Sequence, residues 1–172
     1  LDRFKGFDLL IEAFAGLAPR HPGWGLVILG EGEERPRLER LIEAHRLSGR
    51  VLLPGQVQRP AAVLRQCRLF ALTSAYEGFP NALCEAMACG LPAVSFDCAA
   101  GPADIIRNDV DGVLVRPGDV IGLASSLELL MRDEALRLRL AARAAEICER
   151  FDEALVLDRW VELLESVADR TS

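Results

Sequence analysis

Leu69-Phe70-Ala71-Leu72-Thr73-Ser74-Ala75-Tyr76-Glu77-Gly78-Phe79-Pro80-Asn81-Ala82-Leu83-Cys84-Glu85-Ala86-Met87-Ala88-Cys89-Gly90-Leu91-Pro92-Ala93-Val94-Ser95-Phe96 decides the fold. Leu69–Leu72 is a short apolar run, the pattern of a buried strand. A loop carrying Glu77 follows, then a helix from about Pro80 to Cys89, with proline suited to its first position and Gly90 to its stop. Pro92–Phe96 is a second apolar strand. Strand, helix and strand in this order mean parallel pairing through a right-handed crossover. The stretch also carries two carboxylates with seven residues between them, Glu77 in the loop and Glu85 on the helix. Glu85 is the odder one, because its neighbours are small or apolar. A buried, unpaired carboxylate there would cost several kcal/mol, so the pattern predicts a partner for it.

The same alternation extends in both directions. Lys5–Leu17 places Phe7, Leu10, Ile11, Phe14 and Leu17 on one helical face, and Pro19 and Pro22 stop it. Gly25–Leu29 reads as a buried parallel strand, turned by Gly30-Glu31-Gly32. Glu34–Arg46 is an amphipathic helix, Val51–Leu53 a strand closed by Pro54-Gly55, and Ala61–Gln66 a short helix. Beyond Phe96, a short helix runs from Gly101-Pro102 to Ile106, and Gly112–Val115 is the last strand. Helices at about Val120–Arg132, Glu134–Arg150 and Glu153–Val167 complete the chain. The expected fold is α/β, a Rossmann-like doubly wound parallel sheet. Ligands of such sheets sit beyond the C-terminal strand ends, where Gly30–Gly32, Pro54–Gln56, Ser74–Asn81 and Asp97–Pro102 converge.

With 172 residues, half of them hydrophobic, the chain suffices for one domain or one lobe of a larger protein. A net charge of −6 argues against a nucleic-acid partner. No apolar run reaches the ~18 residues of a membrane span, and no signal peptide opens the chain. Five cysteines without a Cys-x-x-Cys pair fit small buried thiols in a reducing cytoplasm, not a disulfide framework or zinc site.

The loop and helix suggest a chemistry. Pro80 at the helix start is expected to leave the amides of Asn81, Ala82 and Leu83 unpaired, with the positive end of the helix dipole behind them. That is an anion site suited to phosphate. Gly78 permits close approach of a ligand, and Lys5 adds a point charge. The two glutamates cannot share a phosphate but can accept from vicinal hydroxyls. Phosphate and diols together describe a nucleotide-sugar. Taken alone, two acids near a helix start are also ordinary dipole partners or solvated charge.

The segment Tyr76–Val94 resembles the Glu-x7-Glu signature of the retaining glycosyltransferases of the GT-B fold, family 4, the group 1 glycosyltransferases. Lys5–Phe14 is similar to the helix after the first strand of that family's C-terminal domain. Gly30-Glu31-Gly32, Pro54–Val57 and Asp111–Val115 resemble further segments, so the likeness covers nearly the whole chain. It implies that residues 1–172 are the donor-binding C-terminal lobe, with an N-terminal acceptor domain outside this chain. It implies Glu77 beside the transferred sugar and Glu85 at the ribose. Lys5 falls on the diphosphate, with a companion arginine ahead of Leu1. Gly78, Phe79, Pro80, Asn81 and Ala82 fall around sugar and phosphate, together with Gly30 and Gly32, while Gln56 and Val57 fall at the base. The implied reaction transfers a hexose-type sugar, with retention, from a nucleoside-diphosphate sugar to a glycan, a lipid-linked sugar or a small molecule. No cofactor and no metal are expected. The expected location is cytoplasmic, with the inner membrane face reached through the other domain. Two alternatives stay open: a nucleotide-sugar-binding module without turnover, and an epimerase of the same fold.

Four smaller readings complete the expectation. Asp104, in Gly101-Pro102-Ala103-Asp104, departs from the family's common Gly-Gly-x-x-Glu and reads as a cap of its own short helix. Asp109-Val110-Asp111 reads as a turn. His21 and His45 read as exposed or terminus-stabilising, and Trp24 and Trp160 as packing residues. Arg132, Arg137, Arg139 and Arg143 read as a solvated helix face.

Overall fold

The computed structural model describes residues 1–99 and 101–170. A 3-10 turn, Arg3–Lys5, opens it, capped by the Asp2 carboxylate, which accepts from the Phe4 amide at 2.7 Å. Gly6 (φ 61°) ends that turn and begins α1, Phe7–Leu17. The continuous helix expected from Lys5 is therefore broken, because Gly6 adopts a left-handed conformation that side chains resist. In order, β1 (Leu26–Leu29), α2 (Arg35–Ala44), β2 (Val51–Gly55), α3 (Pro60–Leu64) and β3 (Phe70–Leu72) follow. Then come α4 (Asn81–Ala88), β4 (Ala93–Phe96), α5 (Pro102–Ile105), β5 (Gly112–Val115) and α6 (Val120–Arg132). The expected Glu134–Arg150 helix is two, α7 (Glu134–Ala144) and α8 (Ile147–Arg150), and α9 (Glu153–Arg170) ends the order.

All strand pairs are parallel, as a sequence of strands joined by helices requires. The hydrogen bonding forms two ladders, β1–β2 and β3–β4–β5. Phe70 aligns with Ala93, and Ala93 with Gly112, so the C-terminal ends of β3, β4 and β5 share one edge. Alternation divides two cores. Val94, Phe96 and Val115 face α1, α2 and α6, where Ile11, Leu17, Leu123 and Leu130 are almost fully buried. Leu72, Ala93 and Ile105 face α4, α7 and α8, with Leu83, Met87 and Ile147. Each large side chain so buried contributes about 1.5–3 kcal/mol.

Several polar residues depart from expectation. Arg137 is 6% exposed, not solvated: its Nη1 donates to the Leu130 carbonyl at 2.7 Å and its guanidinium lies 5.3 Å from the Trp24 ring centroid. Trp24 thus packs as expected, but Trp160 is 57% exposed on α9. His21 is not exposed; it sits against the Glu128 carboxylate at 3.3 Å, which Arg20 also contacts. Asp111 is fully buried and accepts from the Arg107 amide and Nε at 2.8 and 2.6 Å and from Arg150 at 3.3 Å. It anchors two arginines and does more than fill a turn. Asp104 caps nothing: α5 starts at Gly101 without a side-chain cap. No helix among the described residues is long and apolar enough to cross a membrane.

Candidate functional site

The segments after the C-terminal strand ends hold one another in place. Beyond β3, the Thr73 hydroxyl donates to the Lys5 carbonyl at 2.9 Å, and the Ala75 amide to the Phe4 carbonyl at 2.8 Å. The 3-10 turn is thereby laid across the end of β3. Gly6 makes this possible, because a Cβ there would collide with the Thr73 carbonyl. Beyond β4, Gly101 (φ 118°) passes so close to Pro80 that an added Cβ would lie 2.6 Å from its Cδ. Tyr76 and Ala99 form an isolated parallel bridge between the same two loops.

Within this frame Lys5 Nζ meets Glu77 Oε1 at 2.7 Å. The Ser74 hydroxyl donates to the same oxygen at 2.6 Å. Glu77 is 8% exposed, while the Lys5 side chain keeps 43% of its surface open. The acid is therefore fixed and the base faces outward. Next to them, the Cys98 thiol is pushed up from its ordinary value, first by burial and then by the Glu77 charge. Ser74 is a site residue that sequence reasoning misses. Its only signal is a hydroxyl in the loop three positions ahead of Glu77.

The helix start differs from expectation. Pro80 is the residue before α4, with ψ 76°, not its first helical residue. The Asn81 amide turns back to the Phe79 carbonyl at 2.9 Å, and the Leu83 amide to that of Pro80 at 2.9 Å. Of the three amides, only that of Ala82 has no acceptor among the described residues. Glu85 is also corrected. Leu83, Ala86 and Met87 take the buried face of α4, so Glu85 is exposed and needs no partner; none contacts its carboxylate among the described residues. Phe79, half exposed, stacks at a tilt on Phe151, 5.9 Å between centroids.

A cavity of about 950 Å³ joins these groups. Lys5, Glu77, Phe79, Pro80, Asn81, Ala82 and Glu85 line it from one side, and Gly30, Gln56 and Val57 from the ends of β1 and β2. Gly32 and Gly78 do not line it. Gly32 (φ 157°) serves a packing need, since its backbone lies directly on that of Leu1. Gly78 is exposed, with open space where a side chain would stand. Near Gly30, Glu31 and Arg35 form a two-pronged pair at 2.8 and 2.6 Å, which holds the Glu31 carboxyl below its usual range. No cluster of His, Cys, Asp and Glu able to hold a metal occurs among the described residues.

Known proteins resemble this chain over most of its length. A protein from Streptomyces coelicolor called exopolysaccharide phosphotransferase SCO2592 is 41% identical over 167 residues, 96% of this chain and 18% of its own length. The lipopolysaccharide core biosynthesis glycosyltransferase LpsE of Rhizobium meliloti is 36% identical over 94% of this chain and 46% of its own. A point mutant of Staphylococcus aureus TarM, solved with fondaparinux, alpha-GlcNAc-glycerol and UDP, superposes with a TM-score of 0.90 at 28% identity. The match covers 95% of this chain and 33% of that one, so this chain spans less than half the length of the relatives named. The model of the family described as glycosyl transferases group 1 matches residues 1–147, and the chain belongs to that family.

Proposed function

We propose that this chain is the donor-binding C-terminal lobe of a retaining glycosyltransferase of family 4. The observation that carries the reading is one cavity mouth holding the Lys5–Glu77 pair together with the Ala82 amide and the exposed Glu85 carboxylate, both without a partner among the described residues. A nucleoside-diphosphate sugar needs a cation and amides for its phosphates, and acceptors for its ribose and sugar hydroxyls. UDP bound to the similar TarM favours a uridine donor.

In this reading Lys5 and the α4 start stabilise the charge that gathers on the leaving diphosphate. Glu77, fixed by Ser74, faces the sugar, holds it in the reactive position and favours its oxocarbenium character. Glu85 accepts from the ribose hydroxyls, and Gln56 and Val57 meet the base. Attack and departure share one face of a hexose-type sugar. Lys5 and the amides neutralise the diphosphate, so the reading calls for neither metal nor cofactor. The acceptor, a glycan, a lipid-linked sugar or a small molecule, is placed by an N-terminal domain. That domain also sets any approach to the inner face of the membrane from the cytoplasm.

A second reading is a nucleotide-sugar-binding module without turnover. It is favoured by the relative called a phosphotransferase, of which this chain matches only 18%. One experiment separates them. The parent polypeptide is incubated with a panel of uridine and guanosine diphosphate sugars, with and without acceptor glycans, and sugar release is followed. Transfer or donor hydrolysis supports the first reading. Tight binding with neither reaction supports the second.

A further inference from the structure

Phe79 lines the cavity, and half of its surface is open. The chain around it is held unevenly. Glu77 on one side is fastened by Lys5 and Ser74, and Leu83 on the other is fully buried. Between them Gly78 has nothing within 4 Å of the place a Cβ would take. A glycine so free leaves the backbone of Phe79 able to turn. The orientation of Phe79 nevertheless matters. Its carbonyl accepts from the Asn81 amide at 2.9 Å, and that of Pro80 accepts from the Leu83 amide at 2.9 Å. These bonds occupy the neighbouring amides and leave that of Ala82, in the cavity wall, without an acceptor among the described residues. A rotated Phe79 would redistribute them.

Gly101 backs the Pro80 ring, while the Phe79 ring lies on Phe151 with planes tilted by 56° and centroids 5.9 Å apart, a favourable arrangement for an aromatic pair. Phe151 does not line the cavity. It ends α8, where its amide donates to the Ile147 carbonyl at 3.0 Å, and it packs on the core that holds Leu83 and Met87. Arg150, next to it, keeps its guanidinium 5.6 Å from the Phe151 ring centroid. That guanidinium donates to the carbonyls of Ile105 and Asp104, at 2.8 and 3.3 Å, and to the fully buried Asp111 carboxylate at 3.3 Å. Phe151 is thus clamped to a part of the body built from α5, α8 and the turn ahead of β5. It lies past residue 147, outside the span that the family model matches.

We propose that Phe151 is a positioning residue for the donor: its stack on Phe79 holds the Phe79–Pro80 turn in the conformation that keeps the Ala82 amide free for the diphosphate. The inference rests on the donor-binding reading above and adds to it a residue that touches no part of the donor. Its effect falls on the phosphates and on what they carry. The nucleoside is met elsewhere in that reading, by Gln56, Val57 and Glu85, which the stack does not contact.

Titration of the parent polypeptide with UDP and uridine, and with GDP and guanosine, tests it. Phe151→Leu removes the ring and keeps apolar bulk. It is expected to bind the diphosphate that the wild type takes about 3- to 10-fold more weakly, the range of one aromatic pair, with affinity for the matching nucleoside within about twofold. Phe151→Tyr keeps the ring and should match the wild type for both. Phe79→Leu should lose a similar factor, and the double variant no more than either single one, because the two rings act through one contact. An unchanged ratio of diphosphate to nucleoside affinity in Phe151→Leu would overturn the proposal. So would equal losses for diphosphate and nucleoside, the mark of general damage, or losses that multiply in the double variant, the mark of two independent residues. If Phe151→Leu melts below the assay temperature, Phe151→Met takes its place throughout, since methionine fills the same gap with a flexible apolar chain. A wild type that binds neither diphosphate would remove the donor-binding reading itself, and this inference with it.

Discussion

Lys5 and Glu77 stand 72 positions apart in sequence, yet their charged atoms meet at 2.7 Å, with the carboxylate buried and the ammonium half open. The pair sits where β3 ends, and Gly6 and Thr73 hold the two segments together. A diphosphate arriving at the mouth would find the Lys5 ammonium still accessible, while Glu77 keeps the Ser74 hydroxyl. Lys5→Met is therefore expected to weaken nucleoside-diphosphate binding by about 10- to 150-fold, the equivalent of one hydrogen bond to a charged group. Glu77→Gln keeps the shape and the Ser74 contact. It should leave nucleotide affinity within about threefold and lower turnover of the parent by at least about 100-fold. Calorimetry and initial rates on the two variants decide this. Wild-type turnover in Glu77→Gln would remove Glu77 from the mechanism.

Glu85 gives a cleaner separation of binding from folding. It is exposed and forms no ion pair among the described residues. Glu85→Ala should leave the thermal midpoint unaffected, as surface substitutions cost less than about 0.5 kcal/mol. If the carboxylate accepts from the ribose, the same variant loses about 1.5–3 kcal/mol of nucleotide binding. A deoxyribose nucleotide should lose less on mutation than its ribose counterpart. Equal affinity of wild type and variant for the ribose nucleotide would sink the assignment.

Gly6 is expected to be the most sensitive small residue around the site. Its φ of 61° disfavours any side chain, and a Cβ would strike the Thr73 carbonyl. Gly6→Ala should cost about 2–4 kcal/mol, from the left-handed backbone plus the displaced contact. At ~2–4 °C per kcal/mol for a chain of this size, the midpoint falls by about 4–16 °C. Gly16→Ala is the control, because nothing lies within 4 Å of its position and alanine suits a helix. Equal midpoints for the two variants by differential scanning calorimetry would contradict the role given to Gly6.

The order of strands and helices is legible because apolar runs of four to five residues alternate with amphipathic stretches, and β5 has the bounds that its apolar run predicts, Gly112–Val115. Most of the site is legible for a related reason: strand ends converge, so Lys5, Glu77, Glu85 and the Gln56 loop fall around one mouth. What escapes depends on conformation or on contacts distant in sequence. Nothing in the letters distinguishes Pro80 as a helix residue from Pro80 one position earlier, yet the difference re-pairs two amides. Glu85 reads as an awkward buried charge, because small neighbours look apolar whichever side of the helix they occupy. The split of the sheet into two ladders depends on which edges meet, and no single element carries that information.

Arg137 is another such case, and it carries a prediction about stability. On α7 it looks like one of several solvated arginines, but it reaches back to the end of α6. There it donates to the Leu130 carbonyl at 2.7 Å and meets that of Met131 at 3.5 Å. These are among the last carbonyls of α6, which have no partner within their own helix. The guanidinium thus satisfies a helix end, complements its negative dipole and covers Trp24. Arg137→Met keeps the apolar stem and removes the donor. It should cost about 1–3 kcal/mol, seen as a fall in thermal midpoint of about 2–12 °C. Arg137→Lys should lie between the two, since one ammonium keeps the charge but cannot both bond the carbonyl and stack on the indole. A methionine variant as stable as wild type would mean that stem packing alone accounts for Arg137, and that the α6 carbonyls find other donors.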